Sequence, residues 1–387
     1  MQPTVPTEDI IRWRRHIHQH PELSHHETQT TKYIIGELSS IEGLTIERPT
    51  PTGLVAILKG EAGNGPTIAL RADIDALPVQ EENDMACASV NAGVSHVCGH
   101  DTHSAMLMGA AKALAARRHE LAGTVKFIFQ PAEEVAPGGA QLVVAAGVLD
   151  DVEACFGLHV MNDPIGLIRV FEHEAITTSL DDVEIIINGR GSHGSMPQHS
   201  IDPMLVGSHL VVALHSIVAR NVAPGTFAVV SPTVFHCGKA PNVISDSAEI
   251  WANLRTRDEQ TRTLLKRRIE EITAGIAQTF GAEAKLTWRD GPAAIRQSLP
   301  LVMKAKDALI EAFGTEAVAA GNPMSVSEDF SEYSKVCPTA FFTLGGGTAA
   351  DGYPYANHHP KFNVDERALE RGAQLEVALA LAFLAKR

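Results

Sequence analysis

The stretch Thr124-Val125-Lys126-Phe127-Ile128-Phe129-Gln130-Pro131-Ala132-Glu133-Glu134 decides the fold. Its first six residues are rich in β-branched and aromatic side chains, which favour a buried strand. Further strands are predicted at 54–59 and 67–70, and an Ala-, Leu- and Met-rich helix at 104–118. This alternation indicates an α/β layer with a mostly parallel sheet. Ligands bind beyond the carboxyl ends of such strands, and the two adjacent acids fall there.

The middle of the chain changes character and predicts a β-α-β-β-α-β order. The predicted elements are strands at 182–188, 226–235, 248–256 and 284–288 and helices at 202–219 and 258–280. Such an order is a split βαβ, a ferredoxin-like α+β unit of about a hundred residues. The α/β pattern then returns. We therefore expect one domain formed by 1–180 and 290–387, interrupted by an inserted domain at 181–289.

Composition limits the possible functions. The 387 residues carry a formal charge of −14, with 44% hydrophobic and 20% charged residues. This balance disfavours nucleic acid as a partner, because phosphate contacts need clustered Lys and Arg. The five cysteines are scattered without a CxxC pair, so they do not resemble a disulfide framework. No signal peptide and no apolar run of about 18 residues is visible, so we expect a cytoplasmic protein without a membrane partner.

Several metal-ligating side chains follow the predicted strands. Cys98 and His100 lie two apart in a Gly-containing loop, and thiolate and imidazole ligands favour Zn²⁺ or other transition metals. Adjacent Glu133 and Glu134 point in different directions at a strand end. One can therefore hold a metal ion, while the other takes a proton from water. His159 follows another apolar run. Together they indicate metal-assisted hydrolysis of a small molecule.

Each residue alone also has a purely structural interpretation. Cys98 can be a small core residue, His159 a buried histidine and the Glu pair a surface feature. His96 and His103 belong to the same His-rich loop and are expected beside the ligands or as bystanders. A distant histidine, either His358 or His359, can complete the set.

The chain resembles a known family along nearly its whole length. It is similar to the metallo-amidohydrolases of the M20 peptidase clan, in the branch with hippurate hydrolases, N-acyl-amino-acid amidohydrolases and auxin-conjugate hydrolases. The matching segments keep the family's order and are 14–23, 71–78, 98–101, 129–134, 157–159, 191–194, 240–244 and 358–360.

The resemblance implies a metallopeptidase-type catalytic domain with two divalent ions per subunit, which can be Mn²⁺, Zn²⁺, Ni²⁺ or Co²⁺. His358 is preferred over His359 because it occupies the place of the single family histidine. The implied ligands are Cys98, His100, Glu134, His159 and His358. The inserted domain would then act as a lid and dimerisation domain.

The resemblance also implies the catalytic and substrate-binding roles. Glu133 would be the general base that activates the attacking water and later protonates the leaving amine. Asp73 would be an orienting acid, although a turn role is possible, and His193 would polarise the scissile carbonyl, often from the partner subunit of a homodimer. Asn242 matches a position near substrate. Arg255 is a candidate for the substrate carboxylate, with a structural ion pair as the alternative.

Departures from the family pattern leave the ligands intact and the substrate open. They lie at 160–163, 171–179, 251–256 and 324–330. The favoured function is hydrolysis of N-acyl or N-aroyl amino acids by a homodimer or homotetramer. A dipeptidase or an aromatic-amine deaminase is the alternative. A third hypothesis is an inactive metal-binding scaffold. The intact Glu133 and ligand set argue against it.

Overall fold

The structure is a computed structural model that describes residues 2–385, and the chain divides into two compact units. The first unit comprises Met1–Glu174, Ile295–Pro323 and Asp329–Arg387. The second comprises Ala175–Ala294 and Met324–Glu328. Each unit has its own hydrophobic core.

The first unit contains strands and helices in alternation. Its strands are β1 (Leu44–Glu47), β2 (Leu54–Lys59), β3 (Thr67–Asp73), β4 (Thr124–Gln130), β5 (Val152–Met161), β6 (Ile168–Val170), β13 (Val318–Ala320) and β14 (Thr339–Gly345). Its helices are α1 (Thr7–Gln19), α2 (Thr28–Leu38), α3 (His100–Ala116), α4 (Gly139–Ala145), α7 (Leu299–Phe313) and α8 (Arg367–Leu384).

These strands form one sheet in the order β1-β2-β4-β3-β5-β14-β6-β13. The central strands β4, β3, β5 and β14 are parallel neighbours, whereas β1, β2 and β6 pair antiparallel with a neighbour. The predicted α/β class is confirmed, and the sheet is mixed. The parallel core matters most for function, because it brings the carboxyl ends of β3, β4 and β5 to the same edge.

Helix α3 packs against α1 and α8 in the core of the first unit. Nearly all of its side chains are buried, which agrees with its Ala, Leu and Met content. At Gly109 a Cβ atom would lie 2.4 Å from Ile10 Cδ1. A larger residue there would force the Ile10 side chain to move, so this glycine lets α1 and α3 pack closely.

The second unit contains strands β7 (Asp181–Asn188), β8 (Ser192–His193), β9 (Ala228–Cys237), β10 (Val243–Ile244), β11 (Ser247–Thr256) and β12 (Glu283–Asp290), with helices α5 (Pro203–Asn221) and α6 (Glu259–Phe280). Its main sheet is antiparallel in the order β12-β7-β11-β9. This β-α-β-β-α-β connectivity is the split βαβ arrangement that the sequence predicted. The additional strands β8 and β10 form a two-residue ladder.

Helix α5 is long and apolar enough, by length and mean hydropathy, to cross a membrane. The sequence pattern predicts no such segment. Its buried positions Val206, Leu210, Leu214 and Ile217 recur at helical spacing and belong to the core of the second unit. We therefore assign α5 as an amphipathic core helix.

Candidate metal centre

Three neighbouring parallel strands deliver the candidate residues to one edge of the sheet. Asp73 ends β3 and is the register partner of Gln130, which ends β4. Glu133 and Glu134 follow β4 after three and four residues, and His159 lies near the end of β5. The parallel order therefore gathers residues that are far apart in sequence.

The loop between Cys98 and His100 is tighter than the sequence predicted. The sequence predicts a helix from Ser104, but α3 already begins at His100. Gly99 is therefore the single residue between Cys98 and the helix. Gly99 has φ 101°, and a Cβ atom there would lie 2.4 Å from Val160 Cγ2. Glycine alone fits this backbone and this gap, which lets the helix start directly behind Cys98.

Two groups of potential metal ligands share the Cys98 thiol. One contains Cys98, His100 and His159, and the other contains Cys98, Glu134 and His358; in each, the ligand atoms lie within 4.8 Å of one another. Cys98 Sγ is 3.4 Å from His159 Nε2, and Glu134 Oε1 is 3.3 Å from His358 Nε2. The structure thus brings all five predicted ligands together within the first unit.

Hydrogen bonds leave the outer imidazole nitrogens available. His100 Nδ1 donates toward Asp75, with distances of 3.0 Å to the carbonyl and 3.1 Å to Oδ1. His159 Nδ1 donates to the Val160 carbonyl at 2.8 Å. His100 Nε2 is buried and has no hydrogen-bond partner in the described part of the chain. An orphaned buried imidazole nitrogen beside a thiol and a carboxylate fits a divalent transition metal.

The ionisation of these groups in the metal-free protein follows from their mutual contacts. Hydrogen bonds to Cys98 and Glu134 raise the pKa of His358 to about 10. Burial raises the pKa of the Cys98 thiol. For His100, burial opposes protonation, but Asp73, Cys98 and Asp75 together outweigh it and raise the pKa well above the ordinary value. Protons on these side chains therefore compete with a metal ion for the same atoms.

Asp73 is fully buried and held from two sides. Its Oδ2 accepts from Arg71 at 2.7 Å, and its Oδ1 is 2.6 Å from His103 Nδ1. His103 Nε2 accepts from the Val160 backbone N–H at 2.9 Å, so the ring proton is on Nδ1, which donates a hydrogen bond to Asp73. His103 therefore has no lone pair left for a metal ion in this orientation. His100 Nε2 lies 3.7 Å from Asp73 Oδ2.

A buried polar network lies beneath Asp73. Arg71 donates to Gln130 Oε1 at 2.8 Å and to Asp329 Oδ1 at 3.1 Å. Gln130 Oε1 also accepts from the Tyr333 hydroxyl at 2.8 Å, and its amide nitrogen bonds both Asp329 oxygens. The network joins the ends of β3 and β4 and so fixes the point from which Glu133 and Glu134 emerge.

A second buried ion-pair cluster lies behind the start of α3. Asp101 Oδ2 accepts from Arg14 Nε and lies 2.8 Å from His18 Nδ1, while the other ring nitrogen of His18 lies 3.0 Å from Glu81 Oε1. With a carboxylate at each nitrogen, His18 is an imidazolium. Burial lowers the pKa of neighbouring His96 to about 4, so that ring is neutral. None of the candidate ligand groups found among the described residues contains His96.

Sequence reasoning assigned no role to Arg71, Asp75 or Asn357, and left His103 either beside the ligands or as a bystander. One signal was present, because His100 and His103 are three residues apart and share a helix face once the helix starts at His100. The others could not be found, since no local pattern links Asp75 or Asn357 to residues 25 or 259 positions away.

His193, Asn242 and Arg255 belong to the second unit. His193 pairs with Val243 across the β8–β10 ladder, and the Asn242 carbonyl accepts from Gly194 N–H at 2.8 Å, so these two predicted residues are neighbours. Strand β11 begins at Ser247, three residues after β10, and Arg255 lies near its far end, about 27 Å along the strand from Ser247. Its Nε donates to the Asn253 side chain at 3.2 Å. Its substrate-binding role stays a prediction.

Comparisons with known proteins agree with the fold and with metal binding. The family model described as Peptidase family M20/M25/M40 matches residues 69–382. An N-acetylcysteine deacetylase of Bacillus subtilis is 39% identical over 377 residues, which is 97% of each chain. An N-acyl-L-amino acid amidohydrolase of Geobacillus stearothermophilus is 42% identical over 278 residues, covering 71% of this chain and 74% of the relative. The crystal structure of the Bacillus subtilis YXEP protein, described as a dinuclear metal-binding peptidase from the M20 family, superposes with a TM-score of 0.84 at 35% identity and covers 97% of both chains. This chain belongs to peptidase family M20/M25/M40.

Proposed function

We propose that this protein is a metal-dependent amidohydrolase that cleaves the amide bond of N-acyl or N-aroyl amino acids. The observation that carries the proposal is the position of Glu133, whose carboxylate lies within 4.8 Å of the ligand atoms of His100 and Glu134. A carboxylate beside the ligands can exchange protons with a reacting water. Relatives named as N-acyl amino acid amidohydrolase and deacetylase support the substrate class.

The first unit would act as the catalytic domain. Its two divalent ions, which can be Mn²⁺, Zn²⁺, Ni²⁺ or Co²⁺, would be held by Cys98, His100, Glu134, His159 and His358. Such ions, when bound, lower the pKa of water from 15.7 toward about 7. Glu133 removes a proton from the attacking water and delivers it to the departing amide nitrogen. General acid–base transfer of this kind contributes about 10²–10⁴-fold.

Asp73 would act as the orienting acid beside the ligands. Burial opposes its ionisation, but His100, Arg71 and His103 outweigh it and hold the pKa of Asp73 well below its usual range. The carboxylate is therefore charged at neutral pH and would attract a metal cation bound by the neighbouring ligands. Because Arg71 and His103 hold both of its oxygens, its orientation is fixed before substrate binds.

His193 would polarise the scissile carbonyl. Its Nδ1 accepts from the Ser195 backbone N–H at 3.2 Å, so the neutral ring carries its proton on Nε2. His193 is exposed, which leaves that Nε2–H free to donate to a substrate oxygen. Asn242 beside it would contact the substrate, and Arg255 would pair with a substrate carboxylate.

The second unit would act as a lid and dimerisation domain. Its edge strand β12 carries charges that discourage further pairing, whereas the opposite edge β9 has no Lys, Arg, Asp or Glu. On α5, Leu205 and Val212 are 48% and 73% exposed. A second copy of this chain would cover both features, giving a homodimer or, with a further contact, a homotetramer. Light scattering of Val212→Glu should then show dissociation to the monomer; an unchanged mass for this variant would oppose this interface.

We place the protein in the cytoplasm. The five cysteines are all free, and a reducing compartment keeps the Cys98 thiol available as a ligand.

The catalytic proposal is tested with Glu133→Gln and Glu134→Gln as a matched pair. The first should keep both ions and lose at least about 10²-fold in turnover, because it removes only the proton acceptor. The second should lose an ion. Metal analysis and turnover on an accepted substrate distinguish them, and wild-type turnover in Glu133→Gln would refute the base assignment.

A substrate panel decides the reaction. Acylated amino acids, dipeptides and amino-aromatics are assayed with Mn²⁺, Co²⁺, Ni²⁺ and Zn²⁺. Release of a carboxylic acid and an amino acid supports the proposal. Preferred cleavage of dipeptides, or release of ammonia, would replace it with a dipeptidase or a deaminase.

A further inference from the structure

One side-chain amide joins the segments that carry three of the predicted metal ligands. Asn357 Nδ2 donates to the Cys98 carbonyl at 2.8 Å and approaches the Val160 carbonyl at 3.3 Å. The carbonyl of Val160 is the same acceptor that orients His159 through its Nδ1. Asn357 itself directly precedes His358. The amide therefore contacts one ligand residue, the oxygen that orients a second, and lies next to a third.

The backbone around His358 needs to be held in place. His358 has φ 72°, in the left-handed region, which a residue with a Cβ atom adopts at an energetic cost. Its backbone N–H donates to the Val97 carbonyl at 2.6 Å. This bond and the Asn357 amide both anchor the segment to the residues immediately before Gly99. Without the amide, the bond from the His358 backbone N–H to the Val97 carbonyl would still hold the segment to residues 97–98.

The chemistry of Asn357 suits this task specifically. A primary amide has two N–H donors and can serve two carbonyl oxygens at once. An aspartate has the same shape but, when ionised, accepts only, so it would face the carbonyls of Cys98 and Val160 with a negative charge. An alanine removes the contact, and a glutamine keeps the amide on a longer arm.

We propose that Asn357 is a positioning residue that sets the relative places of Cys98, His159 and His358 and thereby the affinity for divalent ions. The inference rests on the metal dependence in the proposed function. It assigns no contact with substrate to Asn357. Residues that orient metal ligands in this way typically contribute 10–100-fold to metal affinity.

The test compares Asn357→Ala and Asn357→Asp with a matched control, Asn162→Ala. Asn162 also uses its amide to hold the same segment, donating to the Tyr353 and Tyr355 carbonyls, neither of which belongs to a ligand residue. Zn²⁺ affinity of the stripped proteins is measured by competition with a chromophoric chelator. We expect both Asn357 variants to bind Zn²⁺ about 10–100-fold more weakly, and the control to stay within about threefold.

Two further readouts separate positioning from general damage. The Co²⁺ absorption spectrum of Asn357→Ala should change, because the ligand geometry changes, whereas that of Asn162→Ala should match the wild type. The thermal midpoints of metal-free Asn357→Ala and metal-free Asn162→Ala should agree, while saturating Zn²⁺ should raise the midpoint of Asn357→Ala by less than that of Asn162→Ala. If Asn357→Ala does not fold, Asn357→Gln undergoes the same measurements and decides.

Wild-type Zn²⁺ affinity together with an unchanged Co²⁺ spectrum in the folded Asn357 variants would overturn this inference and leave the proposed function intact. Equal weakening in Asn162→Ala would also overturn it, because any tether of the segment would then suffice. Failure of the wild-type protein itself to bind divalent ions would instead refute the metal dependence. No substrate is needed for any of these outcomes.

Discussion

Replacing Arg71 should destabilise the first unit far more than replacing a surface arginine with comparable hydrogen bonds. Arg71 is fully buried and donates to Asp73, Gln130 and Asp329. Arg71→Met fills much of the volume but leaves two buried carboxylates without their cation. Removing one partner of a buried ion pair costs about 3–5 kcal/mol. Because His103 still donates to Asp73, we expect the cost to fall within that range instead of exceeding it.

Arg15→Met is the matched control. Arg15 makes two bonds of 2.8 and 2.6 Å to Glu366, but its side chain is 57% exposed. Water replaces such a pair at little cost, so we expect a loss below about 1 kcal/mol. Both substitutions remove one positive charge from the same unit, which leaves burial as the main difference between them.

Urea unfolding of the metal-free protein measures both costs. Trp13 belongs to the core of the first unit, whereas Trp251 and Trp288 lie in the second. In a background with Trp251→Phe and Trp288→Phe, the fluorescence of Trp13 reports the first unit alone. A loss below about 1 kcal/mol for Arg71→Met, or one equal to that of Arg15→Met, would refute the view that the buried network stabilises the site.

Three other perturbations give distinct results. The carboxylates on both sides of His18 outweigh burial and raise its pKa above 6.5. The protonated ring therefore stabilises the fold fully below pH 6.5, and this contribution is lost as pH rises through the higher folded-state pKa. The fall in urea midpoint above pH 6.5 should be smaller in His18→Gln. His358, with a pKa of about 10, is protonated in the metal-free protein, so Zn²⁺ affinity should rise from pH 6 to 9. Calorimetry in buffers of different ionisation enthalpy should detect the release of that proton. A Zn²⁺ affinity that does not change with pH would contradict this. Gly99→Ala should lose Zn²⁺ affinity, since its Cβ would meet a methyl group at 2.4 Å, whereas Gly93→Ala, at φ 76° in open space, should retain it.

Much of the fold could be predicted because its signals are local. The strand composition of 124–129, the helix composition after His100 and the β-α-β-β-α-β order of the middle segment each depend on residues near in sequence. The parallel centre of the sheet followed from their alternation. The antiparallel pairings of β1, β2 and β6 did not, because these strands are short and carry no signal for their neighbours.

The sequence by itself determined the kinds of candidate ligand and the strand ends that carry them. A thiol, imidazoles and adjacent carboxylates have a chemistry that does not depend on the fold. Only the tertiary structure decided that Cys98 is shared by two ligand groups, that His103 is excluded as a ligand and that Asn357 joins the segments. The physical reason is that hydrogen bonds fix which imidazole nitrogen keeps its lone pair, and those bonds come from backbone groups that meet only when the chain folds.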